Sequence, residues 1–187
     1  NYISRDNIYV AVNSQRFYNN LRDIVWSRDR DKILYLPNYY PPAGVPAIKK
    51  HKERVIKVGC FGAIRPLKNQ LLQAMAAIKF ADDLRYHLEF HINAGRVEMK
   101  GQSVLRNLES LFKHSGHKLV KHEWLDHPDF LALVSTMDLC LQVSFSETFN
   151  IVAADSVVSG VPTVVSREIP WAKVGFADTT DMDSMTK

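Results

Sequence analysis

The chain has 187 residues, 46% of them hydrophobic and 24% charged, with a formal net charge of +4 at pH 7. That composition supports one well-buried core, or one core with a smaller appendage, and argues against global disorder. The charge suits an anionic small ligand and is too weak to point to nucleic acid, and no apolar run reaches the roughly 18 residues of a membrane span.

Residues 1–54 are polar and broken. Asn1 to Arg5 lack the apolar core of a signal peptide. Ile8 to Val12 reads as a short strand, Ser14 to Val25 as a helix with Ser14 as its cap, and Ile33 to Leu36 as a second strand. Pro37 to Pro46 is too rich in proline for a helix or a central strand, and with the basic run Lys49 to Lys52 it makes residues 37–54 a linker. That run reads as solvated, with a weak attraction to an anionic membrane surface.

From Val55 the pattern alternates strand and helix. Predicted strands are Val55 to Gly62, Tyr86 to Asn93 (period two), Leu119 to Val120, Leu139 to Val143 and Val161 to Val165. Predicted helices are Asn69 to Leu84, with an apolar face of Leu71, Leu72, Met75, Ala76 and Ile78; Val97 to His114; Pro128 to Thr136; and Phe149 to Ser159. Such alternation predicts an α/β, Rossmann-like parallel sheet with helices on both faces. Ligands of such sheets bind outside the carboxyl ends of the strands, which selects the loops 62–69, 94–97, 123–128, 144–149 and 166–171. Cys60 and Cys140 lie in apolar strand-like runs, as expected of a reduced, cytosolic pair.

Two of these loops carry chemistry. In Gly62-Ala63-Ile64-Arg65-Pro66-Leu67-Lys68-Asn69, Gly62 permits close backbone approach, and Arg65 and Lys68 put two cations at a helix start that already favours anions. In Ser144 to Asp155, Glu147 is expected at the helix start, where a carboxylate also stabilises the helix dipole, with Thr148 as a cap. Asp155 has Ile151, Val152, Val158 and Ser159 as its helix neighbours. An ionised carboxylate on so apolar a face needs partners, and sugar hydroxyls would serve. Eight residues at 1.5 Å rise span roughly 12 Å, the order of a diphosphate flanked by two sugars.

The stretch Ser146-Glu147-Thr148-Phe149-Asn150-Ile151-Val152-Ala153-Ala154-Asp155 resembles the acid-x7-acid motif of retaining GT-B glycosyltransferases of family four, the "glycosyl transferases group one" domain. Gly160-Val161-Pro162-Thr163-Val164-Val165-Ser166 is similar to the strand that follows it. Gly62 to Asn69 resembles the family's Gly-x-x-x-x-x-Lys-Asn loop, and Val10 to Ser14 with Leu36-Pro37-Asn38 resembles the end of its N-terminal domain. The resemblance implies a nucleoside-diphosphate sugar as partner, with no metal or other cofactor. It implies that Arg65, Lys68 and Gly62 hold the diphosphate with the backbone N–H groups of Phe149, Asn150 and Ile151. Asp155 would contact the ribose, and Glu147, as the catalytic-site acid, the transferred sugar. It also implies residues 1–36 as the last segment of an acceptor domain, 37–54 as linker and 55–187 as the donor domain.

Asp155 stands where the family usually has Glu. Arg167-Glu168-Ile169-Pro170-Trp171 replaces a Gly-rich segment, and the turn at Asn38 lacks the usual Gly-x-Asp. The chain is also short of an acceptor domain. The expectation is a fragment, or half of a split enzyme, inactive without its acceptor-binding part, cytoplasmic and at most peripheral to a membrane. The alternative is a non-catalytic nucleotide or nucleotide-sugar binding module. His87, Glu89 and His91 alternate on one strand, and His87 and His91 lie roughly 13 Å apart, so a polar or edge face is expected and not a metal site. Trp124 and Trp171 are expected to pack.

Overall fold

A computed structural model of the chain describes residues 2–41 and 54–186. The Lys49 to Lys52 run and most of the predicted linker lie outside the described residues. Among those described, no helix is long and apolar enough to cross a membrane.

The first segment is a small βαβ unit. Val10–Val12 (β1) pairs in parallel with Ile33–Tyr35 (β2), and Gln15–Ile24 (α1) connects them. The Ser14 hydroxyl accepts from Phe17 N and caps α1 as the sequence predicts. No residue of α1 is buried, and Tyr9, Ile24 and Leu36 are all exposed.

The remainder is a five-stranded parallel sheet. Its elements are β3 (Val55–Gly59), α2 (Gln70–Leu84), β4 (His87–Asn93), α3 (Gln102–Ser115), β5 (Lys118–His122), α4 (His127–Val134), β6 (Leu139–Gln142), α5 (Ile151–Val158) and β7 (Thr163–Val165). The strand order is β5-β4-β3-β6-β7. Successive residues of β6 show why helices cover both faces: Leu141 joins a core with Ala74, Ala77, Leu108 and Phe112 of α2 and α3, while Cys140 joins one with Phe61, Val134 and Val161. On the second face Phe61 meets Phe130 of α4 edge-on, with centroids 5.3 Å apart. Both thiols are free and buried, and burial pushes each up to about 12, so neither is poised to react.

Four predicted features differ. The predicted face of α2 holds for Ala76, which is buried, and for Leu71, Leu72 and Ile78, which pack against the core, but Met75 is exposed and the buried set also takes in Gln70, Gln73, Ala74, Ala77 and Ala81. Small residues let this helix approach the sheet, and the two glutamines satisfy loop backbone. Gln73 accepts from Val143 N at 2.8 Å and donates to Lys68 O at 2.7 Å; Gln70 donates to Ala63 O.

The helix expected from Val97 begins only at Gln102, because residues 96–98 exchange backbone hydrogen bonds with Ile64, both at 2.9 Å. A Cβ on Gly101 would lie 2.0 Å from Ile64 O. Gly101→Ala is therefore expected to cost about 1–3 kcal/mol, toward the upper end because the obstacle is backbone, as read by urea unfolding.

β4 does not keep period two beyond Phe90, since both faces of this inner strand are covered. The polar or edge-face reading of His91 is corrected accordingly: it is 6% exposed and stacked on His122, Nδ1 to Nε2 2.8 Å. Burial, and then the His122 charge, push His91 down to about 4. Among the described residues, no group of three or more His, Cys, Asp or Glu side chains could hold a metal ion.

Lastly, α5 begins at Ile151 and not at Phe149. Asn150, at φ 60°, accepts from Ala153 N at 2.9 Å and donates to Gln142 Oε1 at 3.1 Å, so Asn150 is the cap and not Thr148. Glu147 consequently sits in the loop before the helix.

Candidate functional site

The sheet runs outward from β3 in both directions, so its topological switch lies between β3 and β6, and a crevice opens at their carboxyl ends. The loops after these two strands meet there. Phe145 N donates to Leu67 O at 3.0 Å, and Asn69 Nδ2 donates to Val143 O at 3.1 Å. Lys68 Nζ and Glu147 Oε1 form an ion pair at 2.5 Å, with both side chains nearly buried at 10% and 7% exposure. Lys68 and Glu147, predicted from separate motifs, are thus direct neighbours, and Lys68 is no solvated surface cation.

Arg65 is turned differently. Its Nη1 lies 3.8 Å from Glu98 Oε2, while its Nε is buried without a hydrogen-bond acceptor. A buried guanidinium N–H without an acceptor is uncommon. Gly62 has φ 108°, and its N–H donates to Asn93 Oδ1 at 2.9 Å. A Cβ there would stand 4.0 Å from Lys68 Nζ and 3.9 Å from Val152 Cγ2, so the bare glycine backbone faces both the lysine and α5.

A cleft of about 480 Å³ opens beside this point, walled by Gly62, Asn93, Arg96, Trp124, His127 and Asp155, with Ile151 and Val152 on the α5 side. Of the predicted site residues, Gly62, Ile151 and Asp155 line it; Arg65, Lys68, Glu147, Phe149 and Asn150 do not. Trp124 is 54% exposed, with the Arg96 guanidinium 4.7 Å from its ring centroid. Trp171 packs, as expected: its Nε1 donates to Phe149 O at 2.5 Å and its ring lies 5.7 Å from that of Phe149.

Asp155 is 2% exposed, and burial lifts its carboxyl from the ordinary 3.8 to about 6. It is not a lone acid on an apolar face. Its Oδ1 accepts from the Tyr40 hydroxyl and lies 2.8 Å from His127 Nε2. Sequence reasoning missed both partners. Tyr40 falls in the assigned linker and His127 carries no local sequence signal, and only the fold brings residues 40, 127 and 155 together.

No known protein family matches the chain, and no curated protein does. Solved structures do. S. aureus TarM, in a complex with fondaparinux, α-GlcNAc-glycerol and UDP, aligns over 95% of this chain with a TM-score of 0.71 at 15% identity. A UDP-forming α,α-trehalose-phosphate synthase from Burkholderia xenovorans aligns over 70% with a TM-score of 0.59 at 13% identity. An E. coli trehalose-6-phosphate structure bound with UDP-2-fluoro glucose gives 0.59 at 14% identity over 71%. The fold is GT-B-like. This chain spans 35% of each of these three longer chains, and at such identities the likeness speaks for the GT-B-type Rossmann-like architecture alone.

Proposed function

We propose that this chain is the donor-binding part of a retaining family-four glycosyltransferase, which takes a nucleoside-diphosphate sugar and passes the sugar to a glycan or lipid-linked acceptor. The observation that carries this reading is the buried Lys68–Glu147 pair at the switch point; Arg65, in the same loop as Lys68, has an Nε without an acceptor. A diphosphate supplies that acceptor. It also draws Lys68 toward phosphate and frees Glu147 to accept from hydroxyls of the transferred sugar. As the sugar–phosphate bond breaks, the diphosphate leaves with the electron pair, and Arg65, Lys68 and the N–H groups at Phe149, Asn150 and Ile151 stabilise its charge. No divalent metal is required in this scheme. Gly62 lets the phosphates approach the backbone, and Asp155 serves the ribose.

The exposed apolar side chains Tyr9, Ile24 and Leu36 support residues 1–36 as the end of an acceptor-binding domain, supplied in cis or in trans and joined through a linker at 37–54. A cytoplasmic location, with peripheral membrane contact through Lys49 to Lys52, accords with that reading. The mutual neutralisation of Lys68 and Glu147 also favours a second reading, a nucleotide-binding module without catalysis, in which the pair is purely structural.

Calorimetric titration with UDP, GDP, ADP and their sugars tests the donor site. One diphosphate is expected to bind equally well with and without EDTA, and its sugar conjugate to bind more tightly still. Arg65→Ala is expected to weaken diphosphate binding by about 1.5–3 kcal/mol while sparing the bare nucleoside. A strict metal requirement overturns the metal-free scheme. Equal affinity for diphosphate and sugar conjugate favours the non-catalytic module.

A further inference from the structure

Two side chains from distant parts of the chain converge on one carboxylate oxygen of a third. Asp155 Oδ1 accepts from the Tyr40 hydroxyl and lies 2.8 Å from His127 Nε2, and the Tyr40 oxygen is itself 3.1 Å from that nitrogen. The hydroxyl therefore has a place to donate, the carboxylate, and, in the tautomer that carries its hydrogen on Nε2, a place to accept, because that single N–H is shared between the hydroxyl and Asp155 Oδ1. A sugar hydroxyl has the same one-donor, two-acceptor character as a phenol.

The receptor is placed firmly. Asp155 is buried in α5, and His127 opens α4, whose cap is fixed by Asp129 N donating to Asp126 Oδ1 at 3.1 Å. Its ligand side is open, since the His127 side chain is 59% exposed and both residues line the cleft. Tyr40 is a visitor from the N-terminal segment. Its ring rests on Phe149, with centroids 6.4 Å apart.

We propose that His127 is a hydroxyl-recognition residue which, with Asp155, forms a receptor for a ribose hydroxyl, and that the Tyr40 hydroxyl fills this receptor until a nucleotide displaces it. The inference rests on the donor-binding reading above. It also accounts for the shorter acid at position 155: the imidazole extends the reach that the carboxylate lacks.

The test compares UDP, GDP and ADP with their 2′-deoxy and 3′-deoxy counterparts by calorimetry on the full chain. For the base that binds best, the wild type is expected to prefer the ribo form by about tenfold over at least one deoxy form, the worth of one good hydrogen bond. His127→Phe is expected to bring that ratio close to one while keeping the preference for diphosphate over nucleoside. His127→Gln, which retains a donor, is expected to restore part of it. Tyr40→Phe keeps the stacking ring and removes the competing hydroxyl, so it is expected to bind the ribo diphosphate several-fold more tightly and pyrophosphate as before. Melting temperatures near the wild type establish that the exposed His127 variants are folded. A ribo preference unchanged in His127→Phe overturns the assignment of His127 and leaves donor binding standing. Unchanged or weaker ribo binding in Tyr40→Phe overturns the displacement. Failure of every diphosphate to bind the wild type overturns both readings.

Discussion

Lys68→Met is expected to lower the unfolding free energy by about 3–5 kcal/mol, because it leaves the Glu147 carboxylate buried without its cation. The pair is short, at 2.5 Å, and the Glu147 side chain is only 7% exposed, so water cannot take over from the lysine without rearrangement. The double variant Lys68→Met with Glu147→Leu is expected to recover most of that loss, since it removes both charges and keeps much of the volume. Urea unfolding of the two single variants and the double variant gives the coupling directly. Near-wild-type stability of Lys68→Met would show that the pair is solvated in solution and contributes little, as exposed pairs do. Function separates the partners further. Under the proposed function, Lys68→Met is expected to weaken diphosphate binding, whereas Glu147→Gln is expected to keep that affinity and lose the additional affinity for the full nucleotide sugar. An unchanged ratio between diphosphate and sugar conjugate in Glu147→Gln leaves the acid with a structural role only.

The sheet was legible because its evidence is local. Alternating apolar runs and helical spacing identify all five strands and the order in which helices separate them, and the switch-point rule then selects the loops that meet at β3 and β6. What local patterns misplace are features set by tertiary contacts. α2 buries glutamines and alanines because the loop backbones at Val143 and Lys68 need partners, and no periodicity of leucines announces that. α3 and α5 start late because residues 96–98 are engaged by Ile64 of the loop after β3, and Asn150 by Gln142 of β6. The site shows the same division. Arg65, Lys68, Glu147 and Asp155 stand out in the sequence by charge in unusual places, but the pairing of Lys68 with Glu147 spans 79 positions, and that of Tyr40 with Asp155 spans 115. Pairings over such separations follow from topology alone.

Asp155→Asn is expected to make the protein more stable at neutral pH and a poorer binder of ribonucleotides. Burial raises the carboxyl from 3.8 to about 6 in the folded chain. The direction of the linkage follows from that rise. Between these two values the folded state holds a proton that the unfolded state has released, so stability falls as pH rises through this window, and the penalty is complete above the folded value. A shift of this size corresponds to on the order of 2–3 kcal/mol. Asparagine cannot ionise and so escapes the penalty, while its carbonyl still accepts from Tyr40 and His127. Unfolding measured from pH 3.5 to pH 8 is therefore expected to show variant and wild type alike at the acid end, with the variant ahead by an increasing margin toward pH 7. The same substitution removes the charged acceptor proposed for a ribose hydroxyl, so the preference for ribo over deoxy ligands is expected to shrink. Opposite signs for stability and binding are what distinguish a carboxylate kept for a ligand from one kept for the fold. Loss of stability at pH 7 on the change to asparagine would mean that the ionised oxygen is needed by Tyr40 and His127 themselves, and the ribose role would then pass from Asp155 to another group lining the cleft.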